Sequence, residues 1–384
     1  MQLNIIATKG DRAAADLKRE DFAITDNGKL QRIAVFSQNV SSSLPVGPPL
    51  PPNTFTNRLE QKAGTPASIT VILLDNLNTL WNDRLQARSQ VVKFLSQIQP
   101  EDHIGIYALG ASLRVLHDYT TDSTDLLKRL ASYKGGEIPD LLPAQPLPGM
   151  DSGDVLLLDA WLRGDGSTER ERDFYTRNKV FSTLKALEFI AQHLARVPGR
   201  KSLIWVSGGF PLDIGFDGNS RWYDSNRLDS FGSEIDQAAR RLNNADLAIY
   251  PIDARGLMAP GTGINTSRSL PNLRPSFAGM GNLSASSGNQ ALMQDLAART
   301  GGKAFYNTND ISGAVAKAVA DSQVTYTVGY YPADEHFDGK FHNVDVKVGR
   351  SGVKLRYRKG YFDLPVPPQD DATRKKQLSE HAHT

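Results

Sequence analysis

The chain has 384 residues, with 44 Lys and Arg against 42 Asp and Glu and no cysteine. At roughly 150 residues per domain, this length predicts two to three domains. The formal charge of +2 removes the composition argument for a dedicated nucleic-acid binder, and the absence of thiols excludes disulfides and cysteine chemistry. No apolar run approaches the roughly 18 residues that a membrane helix needs, so no membrane span is expected.

The two ends of the chain are predicted to be β-structure. In residues 1–40, alternating segments flank Asp26-Asn27-Gly28, and Asn-Gly between such segments is a strong hairpin signal. A Ser- and Pro-rich stretch, 41–67, reads as a linker, and residues 323–363 return to β-patterns before a polar tail, 364–384. Because a hairpin is marginally stable alone, we expect both ends to combine into one β-sandwich.

Between 68 and 322, apolar strand-like runs alternate with amphipathic helical patterns. This alternation is typical of a mostly parallel sheet with helices on both faces. The runs HIGIYALG and LRVLHDY are separated by a short turn, so we expect them to pair antiparallel. The predicted fold class is therefore α/β, with a doubly wound, mostly parallel sheet containing one antiparallel strand, plus the terminal β-sandwich.

Several motifs carry a resemblance to a known family. They are the segment from Leu17 to Gly28 with its DNG turn, then LLDNLNT, PGRKSLIWVSGG, IYPIDARG, LAARTGGKAF and YTVGYYP. Together they resemble the von Willebrand factor A-related proteins of Acidobacteria. The resemblance implies a von Willebrand A-type, Rossmann-like domain over 68–322. It also implies export with a signal removed, hence a secreted, periplasmic or cell-surface location, although a cytoplasmic one stays open.

The resemblance further implies a metal site of the family's kind. That site takes Mg²⁺ or Mn²⁺ with an Asp-x-Ser-x-Ser loop, a Thr from a second loop and an Asp from a third, all hard oxygen ligands. Asp75 and Thr79 match the first loop, but Leu77 replaces a hydroxyl and Ser207 replaces the third-loop Asp. One alignment puts Phe181 at the position of the second-loop Thr. The implied site is degenerate.

Candidate metal ligands are therefore Asp75, Thr79 and Asn78. One carboxylate with a hydroxyl and an amide should hold Mg²⁺ or Mn²⁺ weakly, so no bound cofactor is expected. The favoured alternative is that these three side chains cap the helix that follows.

Ligands of open α/β sheets bind outside the carboxyl ends of the strands, where long loops of this chain should converge. The candidates on this binding face are Asn76, Asn78, Trp81, Ser207, Gly208, Gly209, Asp253 and Arg255. The expected partner is a protein or a cell-surface polymer. Trp161, Trp222, Tyr223 and Arg268 lie in the loops and could add apolar and cationic contacts.

Three functions remain open. The leading hypothesis is a non-enzymatic interaction or adhesion module, followed by a module whose adhesion depends on Mg²⁺ or Mn²⁺. A hydrolase using Ser207 or Asp253 is third, because WVSGG is not the G-x-S-x-G nucleophile elbow, RTGGKAF is not a complete P-loop and H-E-x-x-H is absent. Catalysis is therefore not expected.

Overall fold

The structure of the chain is a computed structural model. The described residues are 1–10, 12–40, 68–99, 102–133, 169–195, 197, 200–210, 231–257, 290, 292–321, 323–332 and 341–362. The predicted linker 41–67 and tail 364–384 lie outside them. The predicted domain boundaries stay predictions.

Five strands form a mixed sheet in the order β10-β9-β6-β7-β8. Their bounds are β6 Ser68–Asp75, β7 Ile104–Leu109, β8 Leu113–Thr120, β9 Arg200–Ser207 and β10 Leu247–Asp253. The pairs β10–β9, β9–β6 and β6–β7 are parallel, whereas β7 and β8 are antiparallel, as their short connection predicts. Every residue of β6, β7, β9 and β10 is buried, which explains their continuous apolar runs.

Helices cover both faces of the mixed sheet. They are α1 Trp81–Leu95, α2 Ser123–Ser132, α3 Glu169–Leu194, α4 Gly232–Asn244 and α5 Ile311–Ala320, with a further helical stretch over 292–300. Helices α1, α2 and α5 share one hydrophobic core with the sheet, and α3, α4 and 292–300 share the other. Leu184, Leu187, Ile190 and Leu194 recur at helical spacing on α3 and are all buried. On α1, Val91 and Leu95 are buried, whereas Leu85 and Val92 are exposed.

The remaining nine strands form two antiparallel sheets, ordered β13-β1-β11-β5, with β2 beside β1, and β14-β12-β3-β4. Their bounds are β1 Gln2–Lys9, β2 Arg12–Ala13, β3 Phe22–Asp26, β4 Lys29–Gln31, β5 Ile33–Val40, β11 Val324–Tyr330, β12 Phe341–Val348, β13 Val353–Arg356 and β14 Gly360–Phe362. Strand β1 changes partner halfway: its first half pairs with β11 and its second half with β13. The antiparallel strands therefore curl into a half-barrel.

The predicted fold class is wrong for this chain. Of the eleven strand pairings among the described residues, eight are antiparallel, and the three parallel ones are confined to a mixed sheet. The chain is therefore not a doubly wound, mostly parallel, Rossmann-like sheet. A curled half-barrel also stands where a β-sandwich was predicted, because a strand that changes partner midway bends one sheet toward the other. The prediction gave most weight to the central apolar runs, although the two ends supply nine of the fourteen strands.

Among the described residues, no helix is both long enough and apolar enough to cross a membrane.

Candidate functional site

The candidate site lies where the parallel strands β6, β9 and β10 end. Their last residues are Asp75, Ser207 and Asp253, as the sequence predicts. Two hydrogen bonds join the three strand ends: Ala254 N donates to the Ser207 carbonyl oxygen at 2.8 Å, and Gly208 N donates to the side-chain hydroxyl Oγ1 of Thr79 at 2.8 Å. These contacts hold the carboxyl edge of the sheet as one unit.

The Asp75 carboxylate is the centre of this edge. It is 1% exposed, and its Oδ2 accepts hydrogen bonds from Trp205 Nε1 and Ser207 Oγ, each at 2.9 Å, and from Asn78 Nδ2 at 2.8 Å. Its Oδ1 accepts from the backbone N–H of Asn78 at 3.0 Å. Burial raises the pKa of Asp75, and the hydrogen bonds from Asn78, Ser207 and Trp205 oppose that rise.

The loop after β6 bonds to itself and to α3. Asn78 Nδ2 also donates to Thr183 Oγ1 at 2.9 Å, and the Thr79 hydroxyl donates to the Asp75 carbonyl oxygen. The predicted capping role is wrong, because the N-cap residue of α1 is Leu80 and no side chain caps this helix. The loop side chains instead fix the β6 loop against α3 and β9.

We tested whether these residues fit a divalent cation. Asp75 is the one carboxylate among the predicted ligands, and N–H or O–H donors occupy both of its oxygens. Asn78 turns its amide nitrogen, not its oxygen, toward Asp75, and Leu77 is buried in the hydrophobic core. A hard cation needs several oxygens facing it, so this arrangement fits Mg²⁺ or Mn²⁺ poorly. Metal binding at Asp75, Asn78 and Thr79 stays a prediction of the resemblance.

Calorimetric titration of the chain with Mg²⁺ or Mn²⁺ up to millimolar concentration is expected to release no binding heat. The reason is that the cation would have to displace the four donors that Asp75 already accepts. Asp75→Ala serves as the reference titration. A saturable heat in the wild type that is missing from this variant would contradict the expectation.

A second polar pair lies at the end of β10. Arg255 Nε and Nη2 donate to the two carboxylate oxygens of Asp253 at 2.9 and 2.8 Å, a bidentate ion pair. The Asp253 side chain is fully buried, whereas that of Arg255 is 18% exposed. Burial raises the pKa of Asp83 on α1, and the negative charge of Asp253 raises it further, while Arg255 lowers it. Asp83 therefore lies near this pair.

The eight predicted binding-face residues differ in exposure. Trp81 is exposed; Asn76, Asn78, Gly208 and Arg255 are half-buried; Ser207, Gly209 and Asp253 are buried. The buried residues can support a surface but cannot contact a partner directly. Trp161, Trp222, Tyr223 and Arg268 lie outside the described residues.

Sequence reasoning missed two contributors to the Asp75 network, Trp205 and Thr183. Trp205 precedes Ser207 by two residues on β9, so strand alternation places both side chains on the same face. Thr183 is a fully buried hydroxyl between Val180 and Leu187, on the apolar face of a helix. That isolated polar residue on an apolar helix face is the signal that could have found Thr183, whereas the alignment gave Phe181.

No protein-family model matches the chain, and no curated protein sequence matches it. Among solved structures, it is similar to an aerotolerance-related membrane protein from Bacteroides fragilis, with 14% identity and a TM-score of 0.33 over 66% of this chain and 98% of that one. The conserved hypothetical protein BatB from Bacteroides thetaiotaomicron has 12% identity and a TM-score of 0.31 over 66% of this chain and 97% of that one. A mutant of the PilB minor pilin from Streptococcus sanguinis has 10% identity and a TM-score of 0.36 over 68% of this chain and 61% of that one. Likenesses this weak assign no family, so the von Willebrand A-type resemblance rests on the sequence motifs alone.

Proposed function

We propose that the chain is a non-enzymatic interaction module that binds a protein or a cell-surface polymer at the carboxyl edge of its mixed sheet. The observation that carries this proposal is a set of exposed large apolar side chains on a rigid edge. Leu80 and Trp81 are 49% and 55% exposed at the start of α1, and Leu257 is 64% exposed just after β10. The motif resemblance, which also implies a location outside the cytoplasm, agrees with this role.

The edge beneath these side chains is held rigidly. Asp75 accepts four hydrogen bonds from two segments of the chain, the loop after β6 and strand β9, and Asp253 and Arg255 form a bidentate pair beside it. A prearranged surface loses little conformational entropy when a partner binds. Exposed Trp and Leu side chains then supply the apolar anchors that dominate many interfaces.

The hydrolase alternative finds no support at the same residues. Ser207 Oγ is buried and donates to Asp75 Oδ2, not to a histidine. Asp253 is buried and paired with Arg255. A nucleophile or general base must reach the substrate, and neither oxygen is accessible among the described residues.

Photo-crosslinking tests the proposed surface. A photoreactive phenylalanine analogue is placed at position 81 or 257 of the full chain, which is then irradiated with protein and polymer fractions from the surface of the producing organism. The control places the analogue at Leu30, which is 75% exposed on β4 of the half-barrel. We expect the same adduct from positions 81 and 257 and none from position 30.

Chelator separates the two adhesion hypotheses in this assay. The adduct should persist in EDTA if binding is independent of metal, and its loss would favour the Mg²⁺- or Mn²⁺-dependent alternative. Equal labelling from position 30, or no adduct from 81 and 257, would refute the proposed surface.

Once the partner is purified, Trp81→Ala is expected to weaken binding about 10- to 100-fold, because exposed Trp side chains are frequent hot spots. Leu30→Ala, which removes an even more exposed apolar side chain on the half-barrel, should leave the Kd unchanged. Surface plasmon resonance measures both values. A similar loss in both variants would indicate non-specific apolar adsorption instead.

A further inference from the structure

Four buried polar atoms have no hydrogen-bond partner among the described residues where the mixed sheet meets the half-barrel. They are Arg200 Nε, Ser202 Oγ, Tyr250 OH and Arg356 Nη1. Buried polar atoms are nearly always paired, because leaving one unpaired costs free energy. Four of them in one region therefore require an explanation.

The topology brings these four groups together. Arg200 and Ser202 are alternate residues of β9, so both side chains lie on the same face of the sheet. Tyr250 is on the adjacent strand β10, paired with Ile204. Arg356 approaches from β13 of the half-barrel, and the positive charges of both arginines lower the pKa of Tyr250 against the burial that raises it. A contact between the Arg200 side chain and the Tyr250 hydroxyl also lowers this pKa, but it lacks the geometry of a full hydrogen bond.

The charges of this region do not balance. Arg200 is 5% exposed, and its Nη2 donates to the Gly301 carbonyl oxygen at 3.0 Å. Arg200 makes no ion pair with any described residue, whereas Arg356 pairs with Asp321 at 2.5 Å. Two cations therefore face one carboxylate, and the phenol of Tyr250 stays neutral because burial raises its pKa. A buried charge without a counter-charge is strongly unfavourable.

We propose that Arg200, Ser202, Tyr250 and Arg356 bind one small monovalent inorganic anion, such as chloride. Each of the four unpaired atoms can donate a hydrogen bond, and an anion is a pure acceptor. A single negative charge also neutralises the excess cation. A water molecule would satisfy hydrogen bonds but would leave Arg200 without a counter-charge.

The anion would join the two sheet systems, because Arg200 and Arg356 belong to different ones. This role is separate from partner binding at the carboxyl edge. Arg200 begins β9, at the opposite end of the strand from Ser207, so either proposal can fail alone.

Thermal unfolding tests the anion site. The melting temperature of the full chain is measured in sodium chloride, sodium bromide and sodium gluconate at equal ionic strength, since a ligand that binds the native state raises it. We expect a rise of several degrees in chloride and bromide relative to gluconate, and Arg200→Met should abolish that rise.

Arg358→Met is the matched control at the same boundary. Its guanidinium also donates to backbone carbonyl oxygens, those of Asn243 and Gln2, and has no unpaired buried nitrogen. This variant should keep the halide effect. Equal melting of the wild type in all three salts, or a halide effect that survives Arg200→Met, would overturn the proposal.

A crystal of the wild-type chain grown in bromide decides the matter if Arg200→Met does not fold. An anomalous peak within hydrogen-bond distance of Arg200 Nε and Tyr250 OH is expected. Density at that position with no anomalous signal, as water would give, would overturn the anion assignment.

Discussion

Replacing Asp75 with Ala is expected to lower the free energy of unfolding by about 3–5 kcal/mol, because it removes the acceptor of four buried hydrogen bonds at once. Trp205 Nε1 would be left without an acceptor in a buried site, whereas Ser207 Oγ would keep the Gly209 carbonyl oxygen and Asn78 Nδ2 would keep Thr183 Oγ1. Urea unfolding followed by circular dichroism measures the loss. A loss below about 1 kcal/mol would show that the network contributes little to stability.

Asp75→Asn is the control for this variant, because it keeps one acceptor oxygen and nearly the same volume. The free energy of unfolding should fall less in Asp75→Asn than in Asp75→Ala.

The stabilities of the wild type and of Asp75→Asn should also depend differently on pH, since burial raises the pKa of Asp75 above its ordinary value of 3.8. Between 3.8 and the raised folded pKa, the unfolded chain binds fewer protons than the native one. The stability of the wild type relative to Asp75→Asn should therefore fall as pH rises through this window, and a relative gain would contradict the assigned direction.

Gly302→Ala is expected to lower the free energy of unfolding by about 2–4 kcal/mol. A Cβ atom at position 302 would lie 1.8 Å from the backbone carbonyl oxygen of Ile249 on β10. The backbone of Ile249 belongs to the sheet, which lies between two layers of helices, so it cannot move aside as a flexible side chain can. The chain after the helical stretch 292–300 would therefore have to shift away from the sheet. Thermal or urea unfolding of Gly302→Ala and of the wild type measures this fall in the free energy of unfolding.

The matched control is Gly232→Ala at the start of α4, where an added Cβ meets nothing within 4 Å. Replacing Gly with Ala there reduces the freedom of the unfolded chain, so stability should stay the same or rise by up to about 1 kcal/mol. If both variants lost stability equally, close packing at Gly302 would not be the cause.

Local patterns in the sequence located the strand ends at which the candidate site residues lie. The continuous apolar runs located the buried strands, and the acid or serine that ends each run located Asp75, Ser207 and Asp253. The antiparallel pairing of β7 and β8 followed from their short connection. These features depend on residues near one another in the chain, which is why periodicity and turn signals suffice for them.

The features that sequence reasoning missed depend on residues far apart in the chain. Trp205 and Thr183 reach the β6 loop across 130 and 105 positions, and no local pattern specifies such contacts. Alternation predicted that β1 is a strand but not that it changes partner between Ile5 and Ile6. The half-barrel was missed in the same way, because a sandwich and a half-barrel have the same alternation along each strand.

The exchange of partners by β1 also sets an order of assembly. Its two partners, β11 and β13, come more than 300 residues later in the chain, so ribosomal synthesis presents β1 long before either one exists. The mixed sheet and the described helices that cover it are complete once α5 has emerged, and that unit can fold while the half-barrel still waits for its final strands. Pairing across such long separations is slow. The unpaired edges of β1 and β5 are therefore the part of the nascent chain most exposed to misassociation, and closure of the half-barrel should be the last step of folding.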